Sequence, residues 1–167
     1  MSSSRIELLQ RMPIFHGIRE DTLQCLIAHA PTVTRQVGEF FFRQGDEALY
    51  MYVLESGRVS VHKVWNDREL ELGMLGPGDC FGEIALIDMS PRSASIRVEQ
   101  LCTATEISAV DLHRVYEYDV EQFILVQTNI ARELCRRLRL TDEKLMRTAT
   151  PQNQAITDLD WPQLLSF

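Results

Sequence analysis

No stretch of this 167-residue chain is apolar for the ~18 residues that a membrane-spanning helix needs, so no span is predicted. Basic residues are outnumbered, with 17 Lys and Arg against 24 Asp and Glu and a formal net charge of −7. A surface that meets DNA or anionic lipid needs clustered cations, so neither partner is expected. Cysteine is scarce too. Cys25, Cys80, Cys102 and Cys135 lie far apart with no CxxC pair, which argues against a zinc or iron–sulfur framework and for reduced, mostly buried thiols. His16, His29, His62 and His113 form no metal-spaced cluster, and Ser93 has no histidine close by in sequence to act as its base. Neither an enzyme nor a resident cofactor is expected. The opening MSSSRIELLQRM lacks the basic flank and apolar core of a secretory signal, so the expected location is the cytoplasm.

What is present suffices for one domain with a hydrophobic core, since 45% of the residues are hydrophobic. Ile6, Leu8, Leu9 and Met12, then Leu23, Leu26 and Ile27, recur at helical spacing, punctuated by Pro13 and Gly17. From Thr32 the pattern changes to short runs of Val, Phe and Tyr between glycines at 38, 45, 57, 76 and 78, which reads as a succession of strands. MYVLESGRVSVHKV reads as two strands around Glu55-Ser56-Gly57, with Val59 and Val61 alternating against Arg58, Ser60 and His62 to give one buried face. Another strand is predicted over Glu69–Leu75, and SIRVEQLCTATEISA returns to strand composition. Helical spacing resumes from about Asp111 to Arg147. There Ala131, Leu134, Leu138, Thr141, Leu145 and Thr148 fall at alternating steps of three and four, the seam of a two-stranded coiled coil. The same spacing suits a helix lying on its own β-domain. The stretch after Thr148, with Pro151, Pro162 and WPQLLSF, reads as a mostly extended tail.

One stretch carries chemistry: FGEIALIDMSPRSAS, residues 81–95. Gly82 precedes a short run of helix formers, whose exposed N–H groups attract anions. Arg92 is the only strong cation in the stretch, and Pro91 restricts the loop that enters it. Ser93 and Ala94 offer small side chains and backbone donors. Glu83 would repel a bare phosphate but would accept hydrogen bonds from a sugar hydroxyl. On the residues alone, Glu83 and Arg92 either grip two ends of a sugar phosphate or pair with each other to staple the loop.

FGEIALIDMSPRSAS resembles the phosphate-binding cassette of the cyclic nucleotide-binding domain family. LLQRMPIFHGIREDTLQCL resembles the family's entry helices, GEFFFRQGD and YVLESGRVSV its β-roll turns, and LGPGDCFGE the approach to the cassette. The resemblance covers about residues 5 to 147. It implies an α+β fold: an antiparallel β-roll, jelly-roll-like, over about 32–110, with N-terminal helices, a short cassette helix and long C-terminal helices over about 111–148. The domain would span 1–148 and the tail 149–167. It also implies a cyclic nucleotide, cAMP or cGMP, as ligand. Glu83 would accept from the ribose 2′-hydroxyl, Arg92 would pair with the exocyclic phosphate oxygens, and Phe81, Gly82, Ile84, Ala85, Ser93 and Ala94 would shape the cradle. Val61 and Leu72 match positions lining the base pocket. RRLRLTDEKL resembles the dimer helix of the family's bacterial transcription factors, where a Thr-Ser pair meets adenine; here the pair is Thr141-Asp142. Thr141 favours cAMP, whereas Asp142 is able to accept both N–H groups of a guanine edge. A homodimer through the helix around 123–148 and an unidentified protein partner follow as expectations. Direct DNA binding does not, because no helix-turn-helix is seen after Thr148. The alternative is a roll that serves only as a scaffold for protein contacts.

Overall fold

The computed structural model describes residues 2–148. Helix α1 spans Ser2–Gln10, a 3-10 turn covers Pro13–Phe15, and α2 spans Glu20–Ile27. Strands follow at Thr32–Arg35 (β1), Phe40–Phe42 (β2), Tyr50–Trp65 (β3), Arg68–Leu75 (β4) and Cys80–Phe81 (β5). Then come α3 at Glu83–Asp88, β6 at Ser95–Ser108, α4 at Ala109–Tyr118 and α5 at Val120–Thr148. The strands form an antiparallel, roll-like sheet in the order β1-β6-β3-β4, with β2 pairing to β6 and β5 to β3. Its core holds Phe41, Tyr52, Leu54, Val59, Phe81, Ile96, Val98, Cys102 and Ala104. The α+β roll read from the sequence is the architecture observed. The contacts divide the chain into two compact units, Met1–Ile130 and Ala131–Phe167.

Two local expectations are corrected. Glu55-Ser56-Gly57 is not a turn: β3 runs as one 16-residue strand, with register shifts against β6 around Ser56 and Arg58. Gly57 adopts φ +87°, and a Cβ there would run into the Leu101 carbonyl and lie 2.7 Å from Cys102 Sγ. A glycine in the left-handed region opposite a close backbone bulges a strand without reversing it. Ser60 is not on an exposed face but fully buried, because its hydroxyl donates to Glu99 Oε1 at 2.7 Å and so meets the requirement that buried polar groups be paired.

The C-terminal helices expected over about 111–148 are α4 and α5, which meet at Asp119. Ser108 and Asp111 form a capping box that starts α4. Asp119 is extended (φ −157°, ψ 105°). Its Oδ1 accepts from the Gln122 N–H at 3.0 Å and its Oδ2 from Arg19 Nη2 at 2.6 Å, so the carboxylate starts α5 and joins it to the approach to α2. Asn129 adds a second link, donating to the carbonyls of Ile14 and His16. Within Ala131–Thr148, Glu133 accepts from Arg136 and Arg137. On the expected seam, Leu138 and Leu145 are exposed. Thr148 ends α5, and Pro151, Pro162 and WPQLLSF lie outside the described residues. No helix among the described residues is long and apolar enough to cross a membrane.

Candidate functional site

Arg92 is held by its backbone before its side chain makes any contact. Its N–H donates to the Asp46 carbonyl and its own carbonyl accepts from the Gly45 N–H, each at 2.9 Å, so the loop after α3 is tied to the connection between β2 and β3. Gln44 strengthens this tie, its N–H donating to Ser95 Oγ at 2.9 Å. The guanidinium is then fixed from three directions. Nη1 donates to the Gly82 carbonyl at 2.9 Å, Nη2 donates to the Tyr50 carbonyl at 2.6 Å, and the Phe42 ring centroid lies 3.9 Å from Cζ. Arg92 is 4% exposed, and its buried Nε has no hydrogen-bond partner. Burial pushes the guanidinium pKa down, opposed in part by Tyr52, Asp46 and Glu83.

Glu83 opens α3 and is 2% exposed. It also borders a cavity of about 210 Å³ lined further by Met51, Leu86, Ile87, Leu112, Gln127 and Ile130. The stapling pair between Glu83 and Arg92 is not formed: both Nη groups of Arg92 point instead at main-chain carbonyls. Gly82 precedes α3 in the left-handed region, at φ +79°. A Cβ there would sit 2.6 Å from Arg92 Nη1, 3.1 Å from Phe42 Cε1 and 3.3 Å from the Tyr50 carbonyl oxygen. The glycine is therefore required by the packing around Arg92 as well as by its φ.

The remaining candidates are distributed unevenly. Ile84 and Ala85 lie in α3, while Ser93 is exposed and Ala94 half-buried just before β6. Phe81 is a core residue, stacked on Tyr52 at 5.4 Å and edge-on to Phe41 at 5.0 Å. Val61 is half-buried against the core and pairs with Gly73. Leu72 sits at the register shift of β4 and is exposed. Thr141 and Asp142 belong to the C-terminal unit; both are exposed, and the Thr141 hydroxyl donates to the Arg137 carbonyl at 2.9 Å. Sequence reasoning missed Phe42, the Tyr50 carbonyl and the Gly45-Asp46 backbone. They reach Arg92 from some fifty residues away, and the only available signal was the FFFRQGD run itself.

One further side-chain relay appears on β3. His62 Nε2 lies 2.7 Å from Ser60 Oγ, and its Nδ1 lies 3.4 Å from Glu69 Oε1. This is not an activated nucleophile, because the single hydroxyl proton of Ser60 goes to Glu99 Oε1 and not to His62, and Ser60 has no exposed surface through which to meet a substrate. Among the described residues, no group of His, Cys, Asp and Glu is arranged to hold a metal ion.

The sequence profile described as Cyclic nucleotide-binding domain matches residues 33–119, which include β2 to β6, all but the first residue of β1, and the whole Arg92 cradle. The chain belongs to the cyclic nucleotide-binding domain family. It is 33% identical to the Cyclic AMP receptor protein of Thermus thermophilus over 135 residues, 80% of this chain and 60% of that protein. It is 37% identical to the cAMP-dependent protein kinase type II regulatory subunit of Drosophila melanogaster over 90 residues, 54% of this chain and 24% of that one. Among solved structures, the Thermus thermophilus catabolite activator protein superposes with a TM-score of 0.70 at 29% identity, covering 81% of this chain and 62% of that one. The chain thus spans less than two thirds of the length of these relatives.

Proposed function

We propose that this chain is a regulatory sensor that binds a cyclic nucleoside monophosphate, cAMP in preference to cGMP, and relays occupancy through α5 to a second copy or another protein. The observation that carries the reading is the Nε–H of Arg92, a donor without a partner on a cation that is almost fully buried. A buried guanidinium bonded only to neutral carbonyls carries a desolvation cost that an anion offsets. A phosphate that takes the Nε edge matches the planar fork of the side chain. Glu83 beside such an anion disfavours inorganic phosphate and favours a sugar phosphate, whose ribose hydroxyl donates to the carboxylate. In this reading Gly82, Ile84, Ala85, Ser93 and Ala94 contribute backbone around the phosphate, and Val61 and Leu72 cover the base.

The preference for adenine rests on Thr141. Its hydroxyl proton is engaged by the Arg137 carbonyl, which leaves the oxygen as an acceptor. Adenine presents an amino donor there, whereas guanine presents a carbonyl. Two of the relatives also carry cyclic AMP in their names. Asp142 works in the other direction, since a carboxylate accepts two N–H groups from guanine and one amino group from adenine. The formal charge of −7 favours a protein over DNA as the downstream contact.

Calorimetric titration of cAMP and cGMP into the wild type, Arg92→Ala and Asp142→Ala tests the assignment. We expect tighter cAMP binding by the wild type, and at least about a tenfold loss in Arg92→Ala, since charge-assisted hydrogen bonds contribute about 1.5–3 kcal/mol each. Asp142→Ala is expected to weaken cGMP more than cAMP. Wild-type affinity in Arg92→Ala overturns the reading. Hydrogen exchange with and without cAMP reads the relay, and unchanged protection along α5 removes that part.

A further inference from the structure

We infer that Phe42 is a positioning residue for phosphate recognition: the face of its ring holds the Arg92 guanidinium in the pose that leaves its buried Nε–H without an intramolecular acceptor. The inference rests on Arg92 as the phosphate ligand. Strand β2 is three phenylalanines in a row, and the pleat sends Phe41 into the core while Phe42 is left half-buried. The Phe42 ring centroid lies 6.1 Å from those of Tyr52 and Phe81, so the ring is anchored to the aromatic core. The guanidinium lies over the face of the ring, its Cζ 3.9 Å from the centroid.

The three restraints on Arg92 act in different directions. The carbonyls of Gly82 and Tyr50 take Nη1 and Nη2 in the guanidinium plane. Hydrogen bonds in the plane do little to resist tilting of the group about the line joining them, and a ring against its face resists that tilt. The Gly82 backbone packs into the same stack, since a Cβ there would lie 3.1 Å from Phe42 Cε1. The quadrupole of the ring also attracts a cation that burial has stripped of water, whereas an aliphatic side chain of similar bulk fills the space without that attraction. An arginine immobilised before the ligand arrives loses less side-chain freedom on binding.

The test uses Phe42→Leu, Phe42→Met and Phe42→Tyr in the full chain, each checked for cooperative unfolding, with cAMP and cGMP as probes. In Phe42→Leu and Phe42→Met we expect about tenfold weaker binding of the preferred nucleotide. The ring-current shift of the Arg92 Nε–H proton is expected to disappear in the same two variants. Phe42→Tyr, which keeps the π-face, should restore both readouts. If Phe42→Leu does not fold, Phe42→Met carries the comparison. Affinity within about twofold of wild type in the aliphatic variants, or an equal loss in Phe42→Tyr, overturns the inference. Failure of the underlying reading looks different, because Arg92→Ala would then bind as the wild type does.

Discussion

Gly82 shows how much one missing side chain contributes. The sequence marks it as a glycine before a short helix, and the resemblance suggests room for a sugar. The structure adds a positive φ and the terminal nitrogen of Arg92 2.6 Å from where a Cβ would sit, with Phe42 and the Tyr50 carbonyl in tight contact beside it. We expect Gly82→Ala to lose about 1–3 kcal/mol of stability from backbone strain and, by displacing the guanidinium, to weaken cyclic nucleotide binding as well. Urea unfolding and calorimetry check the two parts, and an alanine variant matching the wild type in both contradicts the account. Glu83 and Arg92 were also legible as residue types, a carboxylate and a cation in a loop of small residues. Their relation was not. Whether two opposite charges nine positions apart pair with each other depends on which acceptors the fold places nearer, and here these are the carbonyls of Gly82 and Tyr50.

At the scale of elements, period and composition located most of the strands and helices, and the misplaced boundary falls where a glycine has two possible uses. Glu55-Ser56-Gly57 has the composition of a turn, yet β3 continues through it, because β6 lies alongside and keeps pairing on both sides of the bulge. The C-terminal helices were legible as a group, and Asp119 is where the structure divides them, ending α4 and beginning α5. Gly57→Ala tests the bulge. A Cβ would meet main-chain atoms of Leu101 and Cys102 as well as the Cys102 sulfur, and main chain cannot swing aside as a side chain can. We expect a loss of at least about 1–3 kcal/mol in denaturant unfolding. A variant as stable as the wild type would show that the strand is free to re-register there.

For the whole molecule, Asp119 links the start of α5 to the approach to α2. The Gln122 N–H, then the Arg19 side chain, hold its carboxyl below its ordinary value of 3.8. A group whose pKa is lowered by folding stabilises the native state above its unfolded value, and that contribution is lost as pH falls through the folded value. Asp119→Asn keeps an acceptor for Gln122 but removes the charge, so it should unfold at lower urea than the wild type at neutral pH. The gap should close as pH drops below about 3.8 toward the folded value. Midpoints measured across that range check it, and a gap independent of pH refutes the charge as its cause.

The sequence by itself determined the class of the molecule: the order of helices and strands, the acidic surface, and a loop whose residue types suit a sugar phosphate. These are local properties, carried by period, composition and short spacing. Only the tertiary structure decided that Arg92 is buried over Phe42 with two carbonyls on its Nη groups and its Nε unpartnered. The partners of that one side chain come from β2, the start of β3 and the residue before α3. A long, flexible cation takes its pose from whatever the fold brings around it, and no pattern along the chain encodes that meeting.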